Sequence, residues 1–317
     1  MKLSPSTSGA SRNLPSQGSG RGDARNFWRF EWLLAVAVLI SNLAVFELAW
    51  ISIKEGRQRA EELAGLSTRD AAQVLDQSLT SVGRTIDVTL RALADELERS
   101  ELEGRMRREG ILSLLARYKG WLPETEALRV FDAKGQPRWA SHGGTTGRAS
   151  EAEQAYFQRL EAEAGLGMVV SQPVLDRDTG NWVLAFARGI RLPDGRFGGA
   201  VVATVPVEFV TELLASARAG PKGLTMLRYD DLSLVSAYPA LEGPLNEMGN
   251  RDVPDDLRQL LTSGATTGST RTSLPRGGER VGSMRRLQGL PFILVVSVLS
   301  ESYLEAWRGD VLRTGLL

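Results

Sequence analysis

A continuous apolar segment near the N-terminus, Trp32 to Ile53, constrains the fold of this chain more than any other feature. It contains 22 residues, of which Glu47 alone is ionisable. Because an α-helix rises about 1.5 Å per residue, a segment of this length crosses a hydrocarbon layer of about 30 Å. Trp28, Trp32 and Trp50 lie near its two ends, where tryptophan favours membrane interfaces. The segment therefore predicts a transmembrane helix over residues 32–53; a buried helix of a soluble protein is the alternative.

The residues before this segment are rich in Ser, Gly, Pro and Arg, and few of them could be buried. Such a composition predicts a disordered tail over residues 1–31. Basic residues outnumber acidic ones in the tail, and this excess favours the cytoplasmic side of a membrane. The tail of residues 1–31 is longer than the segment that precedes the apolar run of a typical cleaved signal peptide. No small-x-small cleavage site follows the apolar run. We therefore expect an uncleaved signal anchor with a cytoplasmic N-terminus, which places residues 54–305 on the other side of the membrane.

The composition excludes several classes of catalytic and binding protein. The 317 residues include no cysteine and one histidine, His142, in the glycine-rich loop "SHGGTTG". Disulfides, thiolate metal sites and cysteine nucleophiles are thereby excluded, and a solvated His142 leaves no catalytic triad. The 38 basic and 38 acidic residues cancel, so no global field attracts nucleic acid. Asp176, Asp178 and Asp194 occur in predicted turns, where carboxylates are ordinarily solvated. We expect no enzyme activity, no metal, no cofactor and no nucleic-acid partner.

Residues 54–100 predict one long helix that carries an apolar seam. Leucine, valine and isoleucine recur there at steps of three and four, while polar residues fill the other faces. The seam consists of Leu75, Leu79, Val82, Ile86, Leu90, Leu93 and Leu97. A seam of this kind packs either against the chain's own domain or against a second copy of the helix, and the pattern allows both. It is the basis for expecting a homodimer through the long helix.

From about residue 127 the apolar residues alternate, which is the period of β-strands. Two strands joined by an Asp-Ala-Lys-Gly turn are predicted within residues 127–141. A helix over residues 151–162 follows, and after it three strands joined by the turns "DRDTGN" and "LPDGR". The next helix ends near Gly220. These elements form the first of two predicted units, at residues 101–220.

The same order of elements then occurs a second time. Residues 221–299 predict strand, strand, helix and three strands, and a further helix begins at Ser300. Repetition of this order indicates two sheet units of one design in tandem. The predicted fold class is therefore α+β, with an N-terminal transmembrane helix, a long helix, two antiparallel sheet units and an outgoing helix at residues 300–317.

Several stretches of the chain, taken in order, resemble the double Cache sensor domains (tandem PAS-like, also called PDC) of bacterial membrane receptors. These stretches are "RTIDVTLRALADEL", "VFDAKGQPRWAS", "AYF", "NWVLAFARGIRLPDGRFGGAVVATVPVEFV" and "SESYLEAWRGD". The resemblance covers about residues 54–310 and is greatest to the domains found in front of diguanylate cyclases and histidine kinases. It implies two PAS-like units, a membrane-distal one at residues 101–220 and a membrane-proximal one at residues 221–299.

The resemblance also implies a function, the sensing of a small molecule outside the cytoplasm by a protein of the bacterial inner membrane. Residues 54–305 are then periplasmic, and a ligand in the distal unit shifts the proximal unit and the outgoing helix. The run "VLRTGLL" at the end of the chain is expected to begin a second transmembrane helix. The expected output is a diguanylate cyclase. The alternatives are a histidine kinase, a chemoreceptor, or a dimerisation or interaction module that binds no ligand.

The resemblance places the ligand pocket on the distal sheet, beside the helix that carries the "AYF" stretch. The candidate ligand contacts are Phe131, Trp139, Ser141, Tyr156, Arg159, Trp182, Phe186, Arg188 and Thr204. In the amino-acid-sensing branch an Arg two residues before the helix tyrosine and an Asp near the end of the last distal strand hold the ligand. Gln154 and Thr204 stand at those places here. An α-amino acid is therefore disfavoured, whereas a small carboxylate, or an uncharged ligand stacked on Trp182, stays open.

Arg188 is the most informative of these candidates. It follows Trp182, Leu184 and Phe186 in strand alternation and therefore shares a face with large apolar side chains. A guanidinium in such a place requires an anionic or carbonyl partner. A ligand carboxylate or phosphate fits this requirement, and so does an internal acid such as Asp176 or Asp194. If Arg188 contacts the ligand, we expect Arg188→Ala to abolish ligand-induced stabilisation and to leave the unliganded fold intact.

Overall fold

The computed structural model describes residues 23–102, 108–141, 151–163, 165–217, 219–220, 222–274 and 278–315. His142 and most of the predicted N-terminal tail lie outside these ranges. The chain divides into two compact units, Met1–Gly56 and Arg57–Leu317, which we describe separately.

The described part of Met1–Gly56 belongs to helix α1 (Asp23–Leu102). Between Trp32 and Gly56 its side chains are almost all exposed, although most of them are apolar. By length and composition this helix is apolar enough to cross a membrane. Helix α1 begins at Asp23, within the range 1–31 that we predicted as the tail. Extending an existing helix costs far less than nucleating one, and no proline or glycine interrupts residues 23–31.

The unit Arg57–Leu317 is built around the apolar seam of α1. Most seam residues are buried within the unit's own core, and Val82 packs against that core while partly exposed. Along residues 71–97 the seam therefore packs against the chain's own domain, which is one of the two arrangements that its pattern allowed. Helix α2 (Arg108–Lys119), which we did not predict, adds Ile111, Leu115 and Tyr118 to the same core.

The first sheet has the strand order β2-β1-β6-β5-β3, and β4 also pairs with β5; every pair is antiparallel. Its strands are β1 (Ala127–Asp132), β2 (Pro137–Ala140), β3 (Val169–Val170), β4 (Val174–Leu175), β5 (Trp182–Arg191) and β6 (Phe197–Pro206). Helix α3 (Glu151–Ala162) precedes β3, and α4 (Val207–Ser216) follows β6. The single strand predicted before "DRDTGN" is split into β3 and β4. Pro173, which cannot donate a backbone hydrogen bond, lies between them.

The two faces of the first sheet have different neighbours. Leu184, Phe186 and Val201 face the core that α1 lines, and we call this side the spine face. Ala187 and Val202 point the opposite way and cluster with side chains of α3, so we call that side the α3 face. Strand alternation therefore assigns every residue of β1, β5 and β6 to one of the two faces.

The second sheet has the strand order β8-β7-β11-β10-β9 and is also antiparallel. Its strands are β7 (Gly223–Tyr229), β8 (Leu234–Tyr238), β9 (Thr267–Leu274), β10 (Gly278–Arg286) and β11 (Phe292–Leu299). A 3-10 turn (Gly243–Asn246) and α5 (Asp255–Thr262) lie between β8 and β9, and α6 (Ser300–Gly315) follows β11. One face completes the α1 core, and the other packs against α5. The predicted α+β class with tandem antiparallel sheets is confirmed.

Candidate functional site

Three of the predicted ligand contacts lie together on the α3 face. Phe131 of β1 and Tyr156 of α3 are buried in the same apolar cluster. Thr204 of β6 is buried on this face, opposite Ala127 and Ala185. Its Oγ1 accepts a hydrogen bond of 3.2 Å from the backbone N–H of Ala127. The structure therefore brings these three candidates to one face of the sheet, and each of them is buried there.

Four of the predicted contacts lie on the other side of the first sheet or at its edge. Phe186 is buried in the α1 core, and Trp139 packs against that core with the Arg138 guanidinium 4.7 Å above its ring. Ser141 follows β2, and its Oγ accepts a hydrogen bond of 3.1 Å from the N–H of Leu128. Arg188, the fourth, also lies on the spine face. The alternation placed Phe186 and Arg188 together, as predicted, but on the side that faces α1.

Arg188 forms an ion pair with Asp87 of α1 through its Nη1. The Arg188 side chain is 21% exposed and that of Asp87 is 40% exposed. Neither of the two internal acids considered from the sequence is the partner, since Asp176 pairs with Arg129 and Asp194 with Arg196. The Arg188 charge is therefore compensated by the long helix, and ligand contact by this residue stays a prediction.

The two remaining candidates are exposed. Trp182 begins β5, and 43% of its surface is accessible. Arg159 of α3 lines a cleft of about 260 Å³ between the two sheets, together with Tyr229 and Asp230 of the second. Burial raises the pKa of the Tyr229 phenol, which donates a hydrogen bond of 2.7 Å to the carbonyl of Val170. These contacts connect the first sheet to the second near Arg159.

Sequence reasoning missed a buried ion pair on the α3 face. Arg129 lies between Ala127 and Phe131 in strand alternation and points to the same side as they do. Its Nη2 donates to both carboxylate oxygens of Asp176, at 3.0 and 2.7 Å, and to Asp178 at 3.1 Å. The alternation in "ALRVFD" could have placed Arg129 on this face. Its partners lie 47 and 49 residues away, in a turn where we expected solvated acids.

A well-defined cavity lies in the second sheet, on the face toward α5. Its volume is about 270 Å³, and its lining includes Arg228, Arg280, Thr270, Thr272 and Ser297. A wider cavity of about 580 Å³, bounded by the loop of residues 239–245, shares Arg280 with it. We call the smaller one the second-sheet cavity.

Two buried arginines belong to the lining of the second-sheet cavity. Arg228 is 2% exposed, and it donates to the carbonyls of Leu232 at 2.7 Å, Asn250 at 3.0 Å and Asp252 at 3.3 Å. Burial lowers its pKa to about 10. Within the described part of the chain, its Nε is buried without a hydrogen-bond partner. Arg228 therefore retains a buried donor without an acceptor among the described residues.

Arg280 is 8% exposed, and burial lowers its pKa as well. It donates from Nε to Ser297 Oγ at 3.1 Å and from Nη2 to the carbonyl of Lys222 at 2.5 Å. Among the ion pairs of the described residues, none joins a carboxylate to Arg228 or to Arg280. Both buried cations are thus held by neutral acceptors alone.

The fold was compared with known proteins. No protein-family profile matches the sequence, and no curated protein sequence matches it either. Among solved structures, the extracellular domain of the putative histidine kinase rpHK1S-Z16 matches with a TM-score of 0.63 and 23% identity, covering 76% of this chain and 96% of that one. The sensory domain of the Campylobacter jejuni chemoreceptor Tlp3 with isoleucine bound matches with a TM-score of 0.56 and 14% identity, covering 80% of this chain and 98% of that one. The chain has the fold of a double Cache sensor domain. The ligand-binding domain of Mlp24 with asparagine also matches, with a TM-score of 0.58 and 13% identity, and covers 80% of this chain and 99% of that one.

Buried arginines have different partners in the two sheets of this fold. In the first sheet Arg129 is compensated by Asp176 and Asp178. In the second sheet Arg228 and Arg280 line a cavity and have only carbonyl and hydroxyl acceptors among the described residues. A buried cation is ordinarily paired, because desolvating a charge without a counter-charge is costly. Of the buried arginines described, the two that line the second-sheet cavity are therefore the ones without an ion pair.

Proposed function

We propose that residues 54–305 form the periplasmic ligand-sensing region of a bacterial inner-membrane signalling protein, which acts by binding rather than by chemistry. The apolar part of α1 is its membrane anchor, with the N-terminus in the cytoplasm. The double Cache fold carries the proposal, because its second sheet contains a cavity lined by buried polar groups. Such a concave site, mostly apolar with a few placed polar groups, is typical of small-molecule binding.

The route from ligand to output runs through the second sheet and α6. Helix α6 follows β11 without an intervening loop and contacts β10 and β11. Tyr303 of α6 packs against the α1 core, and Ser302 donates a hydrogen bond of 2.6 Å to the carbonyl of Leu299. A ligand that binds one packing of α6 more tightly than another shifts the population of the two. The proposed output is a diguanylate cyclase, with a histidine kinase or a chemoreceptor as the alternative.

The chemical class of the ligand is also part of the proposal. The matching domains of Tlp3 and Mlp24 were solved with isoleucine and asparagine. In this chain Gln154 and Thr204 replace the charged residues expected for an amino-acid site in the first sheet, and the Thr204 hydroxyl is bonded to the backbone of Ala127. We therefore propose a small molecule other than an α-amino acid as the ligand.

A second candidate function is a dimerisation module, which one observation favours. Leu63, Leu66, Val74 and Val88 are large apolar residues of α1 that are at least half exposed. They lie away from the seam that the core buries. A second copy of α1 covering these residues would form a homodimer through the long helix, whether or not a ligand binds.

A thermal-shift screen of the full chain in lipid nanodiscs, against a library of small metabolites, tests the sensing function. A ligand that binds only the folded state stabilises it by about 2.7 kcal/mol at a hundred times its Kd, so at least one compound is expected to raise the Tm. If no compound in the library raises the Tm while the chain still dimerises, the dimerisation module is the better account.

A further inference from the structure

We infer that the second-sheet cavity binds a small organic carboxylate, with Arg228 and Arg280 as its charged floor. The inference rests on the proposed sensing function and gives it a site and a ligand class. It also differs from the sequence-based expectation, which placed the ligand on the first sheet.

Two buried positive charges on the cavity floor favour an anionic ligand. Arg228 and Arg280 are almost completely buried, and within the described residues neither forms an ion pair. Carbonyl and hydroxyl groups satisfy some of their N–H donors, but they supply no counter-charge. A carboxylate suits this floor, because it brings a full negative charge and can accept two parallel N–H bonds from a guanidinium.

A buried N–H donor of Arg228 also favours a ligand that can accept a hydrogen bond. Arg228 Nε is buried and unpartnered within the described residues, although the other nitrogens of this guanidinium are bonded. A buried donor without an acceptor costs about 1–3 kcal/mol, so such atoms are rare unless a ligand or water completes them. Arg129 on the first sheet offers the contrast, because Asp176 already accepts two of its hydrogen bonds.

The acids at the cavity offset this charge only in part: the negative charge of Asp252 raises the pKa of Arg228, but burial lowers it by more. Asp252 and Asp255 contribute to the lining, yet both are exposed and neither forms an ion pair with the buried arginines. Solvent screens the exposed carboxylates, whereas the buried guanidinium groups lie in a medium of lower dielectric constant. The cavity is therefore positive at its floor and hydrated at its acidic side.

Size and wall chemistry limit the ligand further. A volume of about 270 Å³ lies just below the range of about 300–1,000 Å³ that is usual for small-molecule pockets, so the ligand must be small. Leu224, Met226, Leu257 and Val295 supply an apolar wall, and Thr270 adds a hydroxyl. A short-chain carboxylate of up to about ten non-hydrogen atoms fits this combination of volume, charge and apolar surface.

Calorimetric titration of the full chain in lipid nanodiscs tests the inference. The probes are propionate, butyrate and succinate, with propionamide and butyramide as uncharged counterparts and inorganic phosphate as a competing oxyanion. At least one carboxylate is expected to bind, and the amides are expected not to. Arg280→Gln is expected to weaken binding by at least about tenfold, because it removes a charged hydrogen-bond donor. Arg251→Gln is the matched control, since this exposed arginine of the same region pairs with Asp231 and does not line the cavity.

Several results would overturn the inference. They are the absence of binding by all three carboxylates, equal binding of the amides, binding of phosphate alone, or an affinity that Arg280→Gln leaves unchanged. If Arg280→Gln fails to fold, Ser297→Ala replaces it, because Ser297 orients Arg280 and its loss is expected to weaken binding without removing the charge. A library compound whose stabilising effect survives Arg280→Gln but is lost in Thr204→Val places the site on the first sheet. That result contradicts the inference and leaves the sensing function intact.

Discussion

At the scale of single residues, the decisive question for each buried arginine is which group compensates its charge. Arg129 has Asp176, Arg188 has Asp87, and Arg228 and Arg280 have neutral acceptors alone among the described residues. The first two arginines therefore have a carboxylate partner within the chain, and for the last two we propose a ligand as the partner. Burial by itself does not distinguish these roles, because three of the four arginines are almost fully buried.

Asp176→Asn is expected to destabilise the protein strongly. The substitution leaves Arg129 buried with the partly exposed Asp178 as its remaining carboxylate, and breaking a buried pair costs about 3–5 kcal/mol. Chemical denaturation monitored by circular dichroism measures this loss. Asp194→Asn is the control, because Asp194 and Arg196 are both largely exposed in a turn and such pairs contribute about 0–1 kcal/mol. Equal stability of the two variants would contradict the structural role of Asp176.

Arg188→Ala is expected to have a small effect on stability. Its pair with Asp87 is partly exposed, and a double-mutant cycle with Asp87→Ala is expected to give a coupling energy of about 0.5–1 kcal/mol. Because the inferred ligand site lies in the second sheet, ligand-induced stabilisation is expected to persist in Arg188→Ala. Loss of that stabilisation, with an intact unliganded fold, would instead support the earlier expectation that Arg188 contacts the ligand.

At the scale of secondary-structure elements, the part of α1 that follows its membrane segment has two apolar surfaces with different neighbours. Its seam is buried by both sheets and by α2, and Leu90 and Leu93 are completely inaccessible. Leu63, Leu66, Val74 and Val88 remain exposed on the same helix. The seam therefore supports the fold of one chain, and dimerisation through the exposed surface remains a proposal.

Substitutions on the two surfaces of α1 are expected to have opposite effects. Leu90→Ala removes a fully buried side chain and is expected to cost about 2–5 kcal/mol of stability without changing the oligomeric state. Val74→Glu with Val88→Glu is expected to leave stability nearly unchanged and to convert a dimer to a monomer. Light scattering coupled to size-exclusion chromatography measures the mass. An unchanged mass after the double substitution would contradict dimerisation through this surface.

At the scale of the whole molecule, the order of elements was predictable because it depends on local periodicity. The helix expected at residues 151–162 is α3 with the same bounds, and the strands on either side of "LPDGR" are β5 and β6. The alternation along β5 also placed Phe186 and Arg188 on one face. Periodicity does not reveal which face meets α1, because that depends on contacts between residues about 100 positions apart, such as Asp87 and Arg188.

The candidate site was less predictable than the fold for the same reason. Whether a sheet face is filled or hollow depends on side chains from several distant elements. Phe131 and Tyr156 are buried together on the α3 face of the first sheet, whereas Arg228, Thr270 and Arg280 border a cavity in the second. In sequence, Arg228 follows apolar residues much as Arg129 does, and only the positions of acids elsewhere in the chain separate the two. Whether a buried arginine has a carboxylate partner therefore depends on the tertiary structure.

Hydrogen–deuterium exchange of the full chain in nanodiscs, with and without the carboxylate that binds most tightly, tests the central claim most directly. If the ligand binds in the second-sheet cavity, exchange is expected to be slower in the peptides that contain Arg228, Asp252 or Arg280. The exchange rate in α6 is expected to change as well. Little change is predicted in the strands β1 and β2. Protection confined to the first sheet, or no change in α6 at saturating ligand, would contradict a sensor that binds its ligand in the second sheet and signals through the outgoing helix.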